Sequence, residues 1–135
     1  MRRRWNKFNN RTQRCLCDHK HDSTLEATYC NRLLALKREG KIKDYEIQKT
    51  FHMYVNDVKI CQHRVDFLVL TNDEKEEVHE VKGFGTMVWY IKMKLFKALY
   101  PHIPYIVIRK EDVYGSGSSR KTRVTSLFKK RRKNV

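Results

Sequence analysis

The sequence predicts an α/β domain that carries basic arms at both ends. Three observations predict it: two stretches with apolar residues at helical spacing, several runs that alternate apolar and polar residues, and a charge excess confined to the termini. Helical and strand-like stretches interleave along one chain, which is the pattern of a sheet with helices packed on it. At 135 residues and 40% hydrophobic content, the chain supports one compact domain and is short for two.

The charge places the boundaries. Net charge is +15, yet residues 1–14 hold six Arg/Lys and residues 115–135 hold eight, with no acid in either segment. Residues 15–114 are therefore nearly neutral. The chain divides into a basic N-terminal arm (1–14), a core (15–114) and a basic flexible C-terminal tail (115–135) that opens with Gly-Ser-Gly-Ser-Ser. Two basic arms on a neutral core fit a polyanionic partner, with a purely solubilising role as the alternative. No apolar run approaches the ~20 residues of a membrane span, and no signal-peptide core is present. The irregularly spaced Cys15, Cys17, Cys30 and Cys61 read as reduced thiols, so the expected location is cytoplasmic, with no membrane partner.

In the N-terminal arm Arg2, Arg3, Arg4, Lys7 and Arg11 can meet phosphates, while Trp5 and Phe8 stack on a base or anchor the arm. Cys15-Leu16-Cys17-Asp18-His19-Lys20-His21 contains zinc-binding side chains. Ligands at every second position of an extended strand spread over ~20 Å, and the spacing matches no ordinary structural zinc pattern. A turn at Asp18 would fold them together, but the stretch reads as a short β-hairpin.

Ser23, three residues before Glu26, fits a capping box that opens the first helix, which Gly40 stops. Leu25, Tyr29, Leu33 and Leu36 form its buried stripe, with Cys30 and Ala35 beside them. Asp44 to Val55 alternates as a strand with a break near Lys49-Thr50, and Asn56-Asp57 turns the chain into a second strand, Val58 to Leu70. Val65, Phe67 and Val69 are expected on one face of it and Asp66 on the other. Thr86 is the expected N-cap of the second helix, whose core side is Val88, Ile91, Leu95 and Leu99. Lys92, Lys94 and Lys97 are left for phosphate contact or simple solvation. Pro101 ends that helix, and Pro104 to Arg109 adds a short strand to the sheet. In the tail, Arg120, Lys121, Arg123, Lys129, Lys130, Arg131 and Arg132 are further candidate DNA contacts.

The chemistry gathers around Val78-His79-Glu80-Val81-Lys82-Gly83. On a strand, Glu80 and Lys82 share a face. If the turn Thr71 to Lys75 is symmetric about Asp73, paired residues sum to 146 and Asp66 falls opposite Glu80. Opposed Cβ atoms lie roughly 4.5–5.5 Å apart, where like charges repel. A divalent cation removes the conflict, since Mg²⁺ takes one or two carboxylates with water and phosphate oxygens. Two carboxylates and a lysine on one face suit phosphodiester cleavage. A buried ion pair of Asp66 with Lys82 is the competing reading.

Glu26 on an early helix, Asp66 on a strand and Glu80-Val81-Lys82 on the next strand together resemble the PD-(D/E)XK nuclease superfamily. The runs Asp22-Ser23-Thr24-Leu25-Glu26-Ala27, Val65-Asp66-Phe67 and Val81-Lys82-Gly83-Phe84 look like its phage-encoded branch of Holliday-junction-resolvase-like endonucleases. The similarity covers roughly residues 6–109, and Val65 departs from it by standing where a proline is usual. It implies a restriction-endonuclease-like mixed central sheet flanked by helices. It also implies Mg²⁺, or Mn²⁺, held by Asp66 and Glu80, with Glu26 assisting directly or through water. By the same resemblance, Lys82 stabilises charge or orients the attacking water, and Gln48 occupies a position that is polar in some relatives. The implied activity is endonucleolytic cleavage of branched DNA such as Holliday junctions, by a homodimer, in the host cytoplasm if the protein is phage-encoded. The alternatives are a sequence-specific or nicking nuclease of the same fold, or a non-catalytic basic nucleic-acid-binding protein.

Overall fold

The computed structural model describes residues 13–16 and 18–115. The arm residues Arg2, Arg3, Arg4, Lys7 and Arg11, and the tail residues from Arg120 to Arg132, lie outside them. A small hairpin of β1 (Gln13–Arg14) and β2 (Lys20–His21) leads into α1 (Thr24–Arg38). Then follow β3 (Asp44–Val55), β4 (Val58–Leu70), β5 (Glu76–Val81), α2 (Met87–Leu99), β6 (Tyr105–Ile108) and the short α3 (Lys110–Tyr114). The last four strands form one sheet in the order β3-β4-β5-β6. Its first three strands are antiparallel, and β6 runs parallel to β5, so the sheet is mixed. A parallel neighbour needs a crossover connection, which α2 provides.

The β3–β4 turn follows from residues that tolerate left-handed backbone. Asn56 and Asp57 take φ of 49° and 65°, the two left-handed positions of a tight hairpin turn. At the next hairpin Glu74 takes φ 60°, and Thr71 N–H donates to Lys75 O at 2.9 Å. That turn sets the β4–β5 register: Phe67 pairs with His79, Leu68 with Val78, Val69 with Glu77 and Leu70 with Glu76. Every pair sums to 146. Both main helices are capped as their sequences require, with Ser23 Oγ accepting from Glu26 N–H at 3.1 Å and Thr86 Oγ1 from Trp89 N–H at 3.2 Å.

The two long helices cover opposite faces. Tyr29, Cys30 and Leu33 of α1 pack with Phe67, Val69, Val81 and Ile108, whereas Phe96 of α2 packs with Met53, Val65 and Val78. Val78 and Val81 serve different layers because an odd step along a strand changes face. Val65 does not share the layer of Phe67 and Val69, contrary to the simple alternation. On the partner strand, Tyr45 and Ile47 join the α1 layer while Phe51 and Met53 join the α2 layer. Between them Gln48 takes φ 50°, and the β3–β4 ladder skips it. A left-handed residue breaks the pleat, so both strands change the layer they serve at this point. The break expected near Lys49-Thr50 is at Gln48, and the ladder also shifts register between Met53 and Tyr54.

Two helix faces also differ from the periodic reading. Ala35 is exposed on α1, and α2 buries Trp89 and Phe96 rather than Val88 and Ile91, which remain 61% and 59% exposed. The aromatic residues hold the larger apolar area, so they set the rotation of a helix that offers apolar residues all round.

Candidate functional site

At Phe67 and His79 the backbone pairing between β4 and β5 stops, and side chains replace it. The Asp66 N–H donates to Glu80 Oε2 at 3.0 Å, and the Val81 N–H donates to Asp66 Oδ2 at 2.9 Å. The second oxygen of Glu80 accepts from the Trp89 indole N–H at 3.2 Å. Beyond this point β5 continues beside β6, with Glu80 paired to Val107, while Val65 of β4 pairs with Lys49 of β3. The two strands thus part at the point where each contributes a carboxylate to the other's backbone.

Glu80 is 3% exposed, so its charge is held almost wholly by these donors. Burial pushes its carboxyl above the usual range, Asp66 pushes it further, and the Asp66 N–H, Lys82 and the indole oppose the shift. Asp66 is also raised by burial, against the Val81 N–H, Lys82 and Arg64. Glu26 on the first turn of α1 is raised by burial, then by the charges of Asp66, Asp22 and Glu80. These mutual effects bring Glu26 into the same electrostatic neighbourhood as the strand carboxylates. Ser23 does receive the Glu26 backbone N–H. Only the Ser23 half of the expected capping box is thus formed among the described residues, and the Glu26 carboxylate is left to the Asp22 backbone and the site cluster.

Lys82 leaves β5 on the side of Glu80, and its Nζ stands over the Trp89 ring, 5.3 Å from the centroid. Among the described residues it makes no ion pair within 4.0 Å with Asp66 or Glu80, so the cluster is not a closed salt bridge. Trp89 is held in turn by the loop before α2, where Gly85 is a spatial necessity. A Cβ there would lie 2.8 Å from Trp89 Cε3 and 2.8 Å from Tyr90 Cε2. Lys92 lies near enough to depress the basicity of His63, Lys97 stands over Tyr105 at 5.9 Å, and Lys94 is exposed.

Trp89 is the neighbour of Glu80 and Lys82 that periodicity missed. It stands beside Val88, an apolar residue expected in the core, and its distance of nine residues from Glu80 carries no visible signal. A second polar feature also escaped the sequence. Tyr29 O–H lies 2.6 Å from His79 Nδ1, and His79 Nε2 lies 3.1 Å from Glu77 Oε2, all buried beneath α1. Burial raises the Tyr29 hydroxyl pKa well above normal. The three side chains form one continuous buried hydrogen-bonded chain.

The site's donor set is oxygen only, which suits a hard divalent cation. Burial and like charge destabilise all three carboxylates as anions, a conflict that such a cation would relieve. Their oxygens are not gathered as tightly as the group of Cys15, His19, His21 and Cys30, whose donor atoms lie within 4.8 Å of one another. No helix among the described residues is long and apolar enough to cross a membrane. No curated protein and no solved structure matches the chain. A family model described as "Protein of unknown function (DUF1064)" matches residues 7–116, so the chain belongs to the DUF1064 family.

Proposed function

We propose that this protein is a metal-dependent DNA endonuclease of the PD-(D/E)XK type, with a restriction-endonuclease-like core, acting on branched DNA. The observation that carries the reading is the reciprocal bonding of Asp66 and Glu80 where β4 and β5 part, with Lys82 beside them. Asp66 and Glu80 would hold Mg²⁺ or Mn²⁺, and Glu26 would act through a water. Once bound there, the ion would polarise the scissile phosphate.

The chain's own residues do the rest. The Asp66 and Val81 N–H groups and the Trp89 indole fix both carboxylates in orientation before any substrate arrives. Such preorganisation avoids reorganisation during the reaction. Lys82 offers a positive charge to the anion that develops on the phosphate, and the Trp89 face restrains it. Lys92, Lys94 and Lys97, with the basic residues of the two arms, supply phosphate contacts that position DNA without reading its sequence.

A non-catalytic basic DNA-binding protein is the alternative. It calls for the acidic cluster to be a stability device, and the lack of a close Lys82 ion pair counts against that. Matched cuts in a junction call for two copies. Exposed Met87, Val88 and Ile91 on α2 give an apolar strip suited to self-association. The reading is tested by incubating labelled four-way junction, duplex and single-stranded DNA with the protein, in Mg²⁺ and in chelator. Metal-dependent cutting favouring the junction supports it; binding without cutting favours the alternative.

A further inference from the structure

We propose that Cys15, His19, His21 and Cys30 form a structural zinc site that fastens the N-terminal hairpin to α1. The side chains come from three places: the hairpin turn, β2 and the buried stripe of α1. Their donor atoms all lie within 4.8 Å of one another, and Cys30 Sγ is 3.9 Å from His19 Nδ1. With Zn–S of about 2.3 Å and Zn–N of about 2.0–2.1 Å, the edges of a tetrahedral site are roughly 3.3–3.8 Å. The quartet is therefore within a side-chain adjustment of that geometry.

The backbone makes this possible where an extended strand would not. Asp18 takes φ 63°, its N–H donates to Cys15 O at 3.0 Å, and the Cys15 N–H donates to His19 O at 3.1 Å. The turn doubles back between Cys15 and His19, and β2 carries His21 to the same side. Leu16 N–H bonds Asn31 Oδ1 at 2.7 Å, which sets the hairpin against the α1 turn that bears Cys30.

Chemistry favours a metal over a packed core. His21 is 1% exposed, and its Nε2 has no hydrogen-bond partner among the described residues. Buried polar atoms are almost always satisfied, and an orphan is rarely tolerated. A metal bond at Nε2 removes that conflict. Cys30 is 0% exposed. Zn²⁺ with two thiolates and two neutral imidazoles is neutral overall, so it can be buried without an unpaired charge. Two sulfur and two nitrogen ligands suit zinc, and four protein ligands leave no open position, as in structural sites. The hairpin strands have two residues each, too few to hold against α1 by pairing alone. The other ring nitrogen, His21 Nδ1, lies 4.0 Å from Glu26 Oε2, longer than a hydrogen bond but within a side-chain adjustment of the carboxylate contact that metal-bound histidines make. Zinc would thereby steady Glu26, a consequence that rests on the proposed function; the zinc site does not.

The test is metal analysis of the full chain purified under reducing conditions with zinc supplied. One zinc per chain is expected, with loss in Cys30→Ser and in His21→Asn, and retention in Cys17→Ser and Cys61→Ser. Because the first two variants can misfold, the unaltered protein is also stripped with chelator and refilled. With Mg²⁺ held constant throughout, the melting temperature of the stripped protein should rise further on adding Zn²⁺, and Co²⁺ should give tetrahedral ligand-field and thiolate charge-transfer bands. Zinc-free protein whose melting temperature ignores added Zn²⁺ overturns the proposal, and so does zinc lost in Cys17→Ser but kept in Cys30→Ser.

Discussion

Asp66 and Glu80 are bound to each other's strands rather than to each other: the Asp66 N–H donates to Glu80, and Asp66 accepts the N–H of Val81. The two acids therefore differ in what they tolerate. Asp66 uses one oxygen, while Glu80 accepts an N–H on each of its two.

That difference predicts opposite effects of amide substitution on metal-free stability. Asp66→Asn keeps a carbonyl for Val81 and removes one like charge, so it should be neutral or stabilising by about 0.5–1 kcal/mol. Glu80→Gln must turn an NH₂ toward a donor, leaving a buried N–H unsatisfied at a cost of about 1–3 kcal/mol. Denaturant unfolding of both variants in chelator checks this; equal effects would contradict it.

His63 predicts a pH dependence. It is 4% exposed, its Nε2 lies 2.9 Å from Tyr105 O–H, and burial with nearby Lys92 and Lys82 lowers its pKa to about 4. The unfolded chain binds this proton below about pH 6.5, and the folded one does not until about pH 4. Stability from His63 is thus fully present above pH 6.5 and lost as pH falls toward 4, by on the order of 2–3 kcal/mol. His63→Gln should lose that part of the acid sensitivity. The carboxylates of the site shift the other way, so the comparison of variant with unaltered protein is what isolates it. Identical pH profiles would contradict the assignment.

Deleting residues 115–135 removes eight basic residues. DNA binding should weaken and its salt dependence flatten, by about 0.9 in the log–log slope for each duplex phosphate that the tail had neutralised. Affinity measured across a salt series checks it. An unchanged slope would mean that the tail does not meet DNA.

Ile91→Asp places a charge in the exposed strip of α2 without touching the buried Trp89 or Phe96. If the strip joins two copies, sedimentation should shift from dimer to monomer with the melting temperature of the monomer unharmed. A monomer in both proteins would remove the strip from the account.

The hairpin register was legible because a turn symmetric about Asp73 aligns the two alternating runs with pairs summing to 146, and that brings Asp66 and Glu80 together just where the ladder ends. The caps at Ser23 and Thr86 were legible for the same reason, since each is a local hydrogen bond. What stayed hidden depended on tertiary competition. Val88 and Trp89 are both apolar, and only the packing against Glu80 and Gly85 decides which turns inward. The layer change at Val65 follows from a left-handed Gln48 that no propensity announces. Cys30 looked like one more member of an apolar helix stripe, so its place beside Cys15, His19 and His21 could not be read from spacing.

The central claim is that this cluster cuts DNA rather than stabilising a binding protein. The most direct measurement compares unaltered protein, Asp66→Asn and Lys82→Ala on one labelled four-way junction, reading binding and cleavage in the same Mg²⁺ buffer. The account predicts efficient cutting by the unaltered protein alone, with most of the affinity kept in both variants. Loss of the Lys82 charge should slow cleavage by about 10²–10³-fold, the usual effect of removing one electrostatic stabiliser. Variants that bind and cut like the unaltered protein, or an unaltered protein that binds without cutting, would contradict it.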